Sequence, residues 1–147
     1  MGVKNYKETK VYKLSFEQAM DVFETSKLFP REEIYSLTNQ VRRSSRSVCA
    51  NIAEAYRKKM YPAHFVSKVS DSDTENTETN VWMDFSLTCK YVTHEKHEKM
   101  ILRNEEIGRL FTSYDQQSRE VLTYLSLPMP TAHCLLPIAN YLCRTSK

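Results

Sequence analysis

The stretch that decides the fold is residues 36–60, SLTNQVRRSSRSVCANIAEAYRKKM. Within it Leu37, Val41, Val48, Ile52 and Ala55 recur at three- to four-residue steps, the period of one buried helix face. At roughly 100° per residue, Arg42, Arg46 and Arg57 fall together on the opposite face, with Arg43 at its edge and Ala50 and Ala53 between them. One side reads as core and the other as an exposed cationic stripe. Ser36 is a plausible N-cap, and the pattern fades over Lys58, Lys59 and Met60 before Pro62, which suits the first turn of a next helix because its missing N–H costs little there.

Composition supports a helical chain. Gly accounts for 2 of 147 residues, against a usual share of about 7%. The five prolines leave long tracts uninterrupted, and both residue types are those that helix interiors exclude. The length predicts one domain with a sizeable core, spanning 1–125, followed by a tail of unassigned structure at 126–147. That tail holds three prolines, two cysteines and Leu135-Leu136.

The formal net charge is only +3, but it is unevenly placed. Residues 36–61 hold six Lys and Arg against one Glu, whereas residues 63–91 hold two against five Asp and Glu. Of the four cysteines, Cys49, Cys89, Cys134 and Cys143, none forms a C-x-x-C pair, and they read as free buried thiols in a reducing compartment. No tract reaches the ~18 apolar residues of a membrane span, and no leader is visible, so a soluble, cytoplasmic protein with no membrane partner is expected.

Upstream, Ser15 with Gln18 forms a capping-box pattern, and Phe16, Ala19, Met20 and Phe23 follow at helical spacing. A first helix is therefore expected over 15–26, with residues 1–13 as an arm or lead-in and Phe29 closing the core edge before Pro30. Downstream, Phe65, Val66 and Val69 begin a third helix that Val81, Trp82, Met83 and Phe85 finish. Residues 70–80, SDSDTENTETN, contain no strongly apolar side chain, and pattern alone makes them a loop. Thr93 is a good N-cap for a fourth helix, along which His97, Met100, Asn104, Ile107, Phe111, Tyr114, Ser118, Val121 and Leu125 step by three and four. Four helices with short connections and no strand pattern predict an all-α, up-down antiparallel four-helix bundle.

The run Tyr35-x-Leu37-Thr38-x-Gln40-Val41-Arg42-Arg43, then Ser47-Val48 and Ala50-Asn51-Ile52-Ala53-Glu54, resembles the signature of the bacterial four-helix-bundle proteins first known from intervening sequences of 23S ribosomal RNA genes. Phe65-x-x-Lys68-x-x-Asp71, Glu75-Asn76-x-x-Thr79, Trp82-x-Asp84-Phe85 and Cys89-x-Tyr91 resemble one branch of that family. The likeness covers residues 5–124. Where the family usually has Pro before the Ala-Asn-Ile-Ala-Glu string and Gly after it, this chain has Cys49 and Ala55, and both changes favour a straighter helix. The resemblance implies a ring-like homopentamer and a kinship with an accessory protein of diversity-generating retroelements, which is thought to bind nucleic acid and a reverse transcriptase. It also makes residues 70–80 helical, with Ser72, Asn76 and Thr79 in a polar layer or a subunit interface.

The cationic stripe is the leading functional signal. Arg42, Arg43, Arg46, Arg57, Lys58 and Lys59 could neutralise successive phosphates of RNA or DNA without reading sequence. The same groups could instead pair with Asp71, Asp73, Glu75 or Glu78 of the third helix, within or between subunits, leaving an oligomeric scaffold for another protein. Asn51 and Glu54 read as a buried polar contact that fixes register, with Asn104 as a possible counterpart; Asn76 joins them as a structural polar residue. His94 and His97 have a spacing that could hold a metal, but no Glu-x-x-His motif elsewhere completes such a site. No catalytic or cofactor motif is present, so neither an enzyme, a metal nor a cofactor is expected. Trp82, Phe85, Tyr91, Phe111 and Tyr114 read as core. Tyr56 and Tyr61, beside the Arg57-Lys58-Lys59 cluster, are placed to stack on bases.

Overall fold

The computed structural model describes residues 5–126, and the side chains of residues 5–116. Four helices follow one another: α1 (Lys10–Ser26), α2 (Leu37–Arg57), α3 (Pro62–Thr88) and α4 (His94–Ser126). No strand occurs among the described residues. Each helix packs on its neighbours in the cycle α1, α2, α3, α4, and α1 and α4 close it, so α1 and α3 lie on one diagonal and α2 and α4 on the other. This is the expected up-down bundle. The segment from 127 onward, with Cys134, Cys143 and His133, lies outside the described residues.

Local signals explain the boundaries. Thr9 caps α1: its hydroxyl accepts the Tyr12 N–H at 3.3 Å and donates to the Tyr6 carbonyl at 2.6 Å. The helix thus begins five residues before the expected Ser15, which lies inside it and donates to the Val11 carbonyl at 2.8 Å. Ser36 does precede α2 but does not cap it. The Glu33 carboxylate takes that role, accepting the Ser36 hydroxyl and, at 3.3 Å, the Leu37 N–H. Those bonds hold its pKa below the usual carboxylate range. Pro62 occupies the first turn of α3 as expected. The turn into α4 passes through Lys90 at φ 62°, a left-handed residue that lets the Tyr91 N–H reach back to the Ser86 carbonyl. Thr93 then accepts the Lys96 N–H at 3.3 Å, the expected cap.

The predicted buried face of α2 is realised in full: Leu37, Val41, Val48, Ile52 and Ala55 are all buried, and the helix runs unbroken through Cys49 and Ala55. On α4, Met100, Asn104, Ile107, Phe111 and Tyr114 are buried as the seam requires. The face of α1 is different from the expected one. Val11, Ser15, Gln18, Ala19 and Val22 point inward, while Phe16 is 51% exposed and Met20 is exposed as well. Phe29 is buried at the core edge.

The core is divided. One apolar cluster joins Val11, Val48, Ile52, Phe65, Val69, Ile107, Phe111 and Tyr114, and a second joins Val22, Phe29, Leu37, Val41, Met83 and Met100. Between them lies a buried polar layer. Gln18 Nε2 donates to the Met100 carbonyl at 3.1 Å, and Asn76 Nδ2 donates to the Asn104 carbonyl at 2.9 Å. Asn104 Nδ2 donates to Asn80 Oδ1 at 2.6 Å, and the Thr79 and Ser44 hydroxyls meet at 2.9 Å. Residues 70–80 are therefore helical although no large apolar side chain marks them. Their inward positions, Ser72, Asn76 and Thr79, are buried and find hydrogen bonds, which removes the cost of burying them.

Ion pairs flank this layer on the α1–α4 side. Asp21 lies 2.7 Å from Arg103 and 3.7 Å from Lys96. Partial burial raises its pKa, but the Arg103 hydrogen bond and the charges of Lys96, Arg103 and Lys99 outweigh this and lower it overall.

Two measurements test this account. Replacing Asn104 with Ala strands Asn80 and opens space in the layer, so urea unfolding should show a loss of about 2–3 kcal/mol, against about 1 kcal/mol for Thr79→Val. Because Asp21 is depressed in the folded state, its stabilisation is present above the ordinary carboxylate range and fades as pH falls through the lowered value. Asp21→Asn should cost about 0.5–1 kcal/mol at neutral pH, the pair being partly exposed, and unfolding curves of parent and variant should converge in acid.

Candidate functional site

The outer face of α2 carries the cations, and its structure sorts them into three settings. Arg42 and Arg46, one turn apart, lean toward α1. Arg42 Nε donates to Ser26 Oγ at 2.6 Å, and the two guanidinium groups lie 5.1 and 5.5 Å from the centroid of the same Phe23 ring. Such contacts stabilise a cation without neutralising it. Arg43, rotated by one residue, leans toward α3 and is neutralised there, 2.7 Å from Glu78 and 3.6 Å from Glu75. Burial raises the pKa of Glu75, and Arg43 opposes that rise. Arg57, Lys58 and Lys59 form the third setting at the C-terminal end of α2. Lys59 Nζ lies 4.4 Å over the Tyr56 ring.

Of the pairing with the acidic third helix weighed for this stripe, the intrachain part is met, among the described residues, by Arg43 alone. Asp71 is held at 3.1 Å by Lys68 of its own helix. Asp73 faces α4, where burial and then the nearby Asp115 raise its pKa. Among the described residues, Arg42, Arg46, Arg57, Lys58 and Lys59 have no carboxylate within ion-pair distance.

Asn51 and Glu54 do not form the buried contact expected of them. Both lie at the α2–α3 edge, where Lys68 donates to Asn51 Oδ1 at 3.3 Å and pairs with Glu54 at 3.0 Å; Glu54 is exposed. The spacing is sound, but these positions rotate out of the core past Ile52 and Ala55. Asn104 is buried and belongs with Asn76 and Asn80, not with Asn51. Of the aromatic residues, Phe111 and Tyr114 are core, Trp82 and Tyr91 are half-buried, and Phe85 is 52% exposed. Tyr56 is half-buried beside Tyr6, and Tyr61 is exposed with its ring near His64.

His97 bonds Asp84 at 2.7 Å, and among the described residues no three His, Cys, Asp or Glu side chains come together as a metal site would need. Cys49 is half-buried, and burial pushes its thiol up to about 11, leaving it protonated and unreactive at neutral pH. Cys89, expected to be buried, is exposed at the C-terminal end of α3.

Two residues that periodicity does not mark join this face. The short turn Arg31–Glu33 brings Ile34 and Tyr35 over the first turn of α2, where with Thr38, Arg42 and Arg46 they line a hollow of about 650 Å³. Tyr35 is 91% exposed. It lies before the helix start and outside the repeating pattern, so the only sequence signal at this position is the string Tyr35-x-Leu37-Thr38.

No helix among the described residues is long and apolar enough to cross a membrane. No curated protein matches the chain. Among solved structures, a protein of unknown function from the S23 ribosomal protein family of Bacteroides thetaiotaomicron is similar, with 28% identity and a TM-score of 0.66 over 72% of this chain and 95% of that one. The family model described as 23S rRNA-intervening sequence protein matches residues 7–113, which span both the cationic helix and the polar layer. The chain belongs to the 23S rRNA-intervening sequence protein family.

Proposed function

We propose that this protein is a non-catalytic, self-assembling bundle that binds the phosphate backbone of nucleic acid through the outer face of α2. One observation carries the reading: Arg42, Arg46, Arg57, Lys58 and Lys59 have no carboxylate partner among the described residues, although five acidic side chains lie on the adjoining helix. Cations held in place yet not neutralised favour a polyanion, because contact with phosphates releases the counterions of the nucleic acid. From Arg42 to Arg57 the face runs fifteen residues, about 22 Å along the helix axis, long enough for several phosphates.

Two apolar patches support assembly. Phe16 and Met20 are exposed on α1, and Val81 and Phe85 are exposed on α3, the helix diagonally across the bundle. Two unlike patches on opposite sides suit head-to-tail contacts that close into a ring, and the ring expected of this chain is a pentamer. A rival reading draws on the closeness of Phe23, which carries Arg42 and Arg46, to the exposed Phe16 and Met20 on the same helix. In that reading the stripe joins subunits, and the assembly is a scaffold for another protein.

The parent should bind mixed-sequence RNA at low salt and lose it steeply as salt rises. In the triple variant Arg42→Gln/Arg46→Gln/Arg57→Gln the slope of log K against log salt should fall by about 2, the share of three phosphate contacts on a single strand. Light scattering should show an unchanged assembly mass. Dissociation of the variant into smaller species would assign the stripe to assembly, and absence of binding by the parent at low salt would overturn the nucleic-acid reading.

A further inference from the structure

The face of a straight helix is convex, yet the first half of α2 borders a hollow. It exists because the Arg31–Glu33 turn sets Ile34 and Tyr35 over Thr38, Arg42 and Arg46. Its volume of about 650 Å³ falls within the ~300–1,000 Å³ that small-molecule sites occupy. Two features of its lining point to the same kind of ligand.

The first is the pair of guanidinium groups. Arg42 and Arg46 both lie against the Phe23 ring, and Ser26 fixes Arg42, so two like charges one helical turn apart border the hollow. Their mutual repulsion is relieved when an anion sits between them. The second is the Tyr35 ring, which is almost fully exposed and lines the same space. An open aromatic face beside fixed cations is the arrangement by which proteins take a base on a ring and its phosphate on a guanidinium group. Duplex bases are stacked on one another and have no face to offer.

We infer that this hollow holds one nucleotide of a single strand, with the base against Tyr35 and the phosphate at Arg42 and Arg46, so that the protein prefers single-stranded to duplex nucleic acid. The inference rests on the backbone-binding reading above and adds the strand form that the face selects. It also assigns the stacking role to Tyr35, at the opposite end of α2 from Tyr56 and Tyr61.

The test is fluorescence anisotropy with one labelled mixed-sequence RNA oligonucleotide, used as a single strand and annealed to its complement. The proteins are the parent, Tyr35→Phe and Tyr35→Ala. The exposure of Tyr35 keeps the substitutions clear of the core, and circular dichroism checks that the helix content is retained. The single strand should bind the parent more tightly than the duplex. Tyr35→Ala should weaken single-strand binding about tenfold, within the range for one stacked base, and leave duplex binding and the salt slope unchanged. Tyr35→Phe should bind as the parent does. Equal affinity of the parent for both strand forms, or a Tyr35→Ala variant that binds the single strand like the parent, would overturn this inference while salt-dependent binding persisted. Failure of the parent to bind either form would instead overturn the reading on which it rests.

Discussion

The buried polar layer around Asn104 constrains the rest of the structure. Apolar contact alone tolerates sliding, and the second core cluster contains two methionines, Met83 and Met100, whose flexible side chains fill space in many ways. Hydrogen bonds in the layer do not tolerate it. Gln18 reaches the Met100 carbonyl, Asn76 reaches the Asn104 carbonyl, and Thr79 meets Ser44, so α1, α3 and α2 are each pinned by at least one buried bond. A slip of one residue between any two of them would strand groups whose burial costs more than the bonds contribute. With the register so fixed, Lys10 meets Glu106 and Asp21 meets Arg103 on the α1–α4 side.

The same layer explains why some of the fold was legible in the sequence and some was not. On α2 and α4 the large apolar residues lie on the buried face, and the period of three and four reads correctly. On α1 two stripes compete. Phe16, Met20 and Phe23 make the more hydrophobic one, yet the buried stripe runs through Val11, Ser15, Gln18, Ala19 and Val22, about one residue away in phase. Small hydroxyl and carboxamide groups are favoured there because the layer takes them, and that reason lies on the Met100 carbonyl and on Val48 and Asn104 of other helices. Residues 70–80 pose the same problem more sharply, since every inward position in them is polar. Their helix is visible only through its partners or through resemblance to a known family.

The candidate site was legible in composition and not in geometry. The helical wheel groups Arg42, Arg46 and Arg57 with Arg43 at the edge, and Lys58 and Lys59 follow in sequence, but which of them is neutralised depends on a rotation of one residue. Arg43 and Arg42 differ by about 100° around the axis. That angle carries Arg43 to Glu75 and Glu78, and Arg42 to Phe23 and Ser26. Tyr35 and the hollow it roofs depend on the path of the turn before α2, for which no periodic signal exists.

Among the described residues, the α2 cations other than Arg43 remain without carboxylates because acids on the neighbouring elements pair elsewhere. Asp21 points from α1 toward α4 and binds Arg103; Glu24 binds Lys27 of its own helix segment. Glu54, the one acid in the cationic stretch, crosses to Lys68, which also holds Asp71. Bonds to both acids hold the Lys68 ammonium firmly charged. Lys68 therefore removes two carboxylates from the neighbourhood of α2, and Arg43 takes two more. Asp71, Glu75 and Glu78 are thus absorbed at the border of α3 with α2, Asp73 and Asp84 turn toward α4, and among the described residues the charge that α2 turns toward α1 and solvent is left unopposed. A cationic face in this bundle thus follows from the placement of two residues, Arg43 and Lys68, at one helix border.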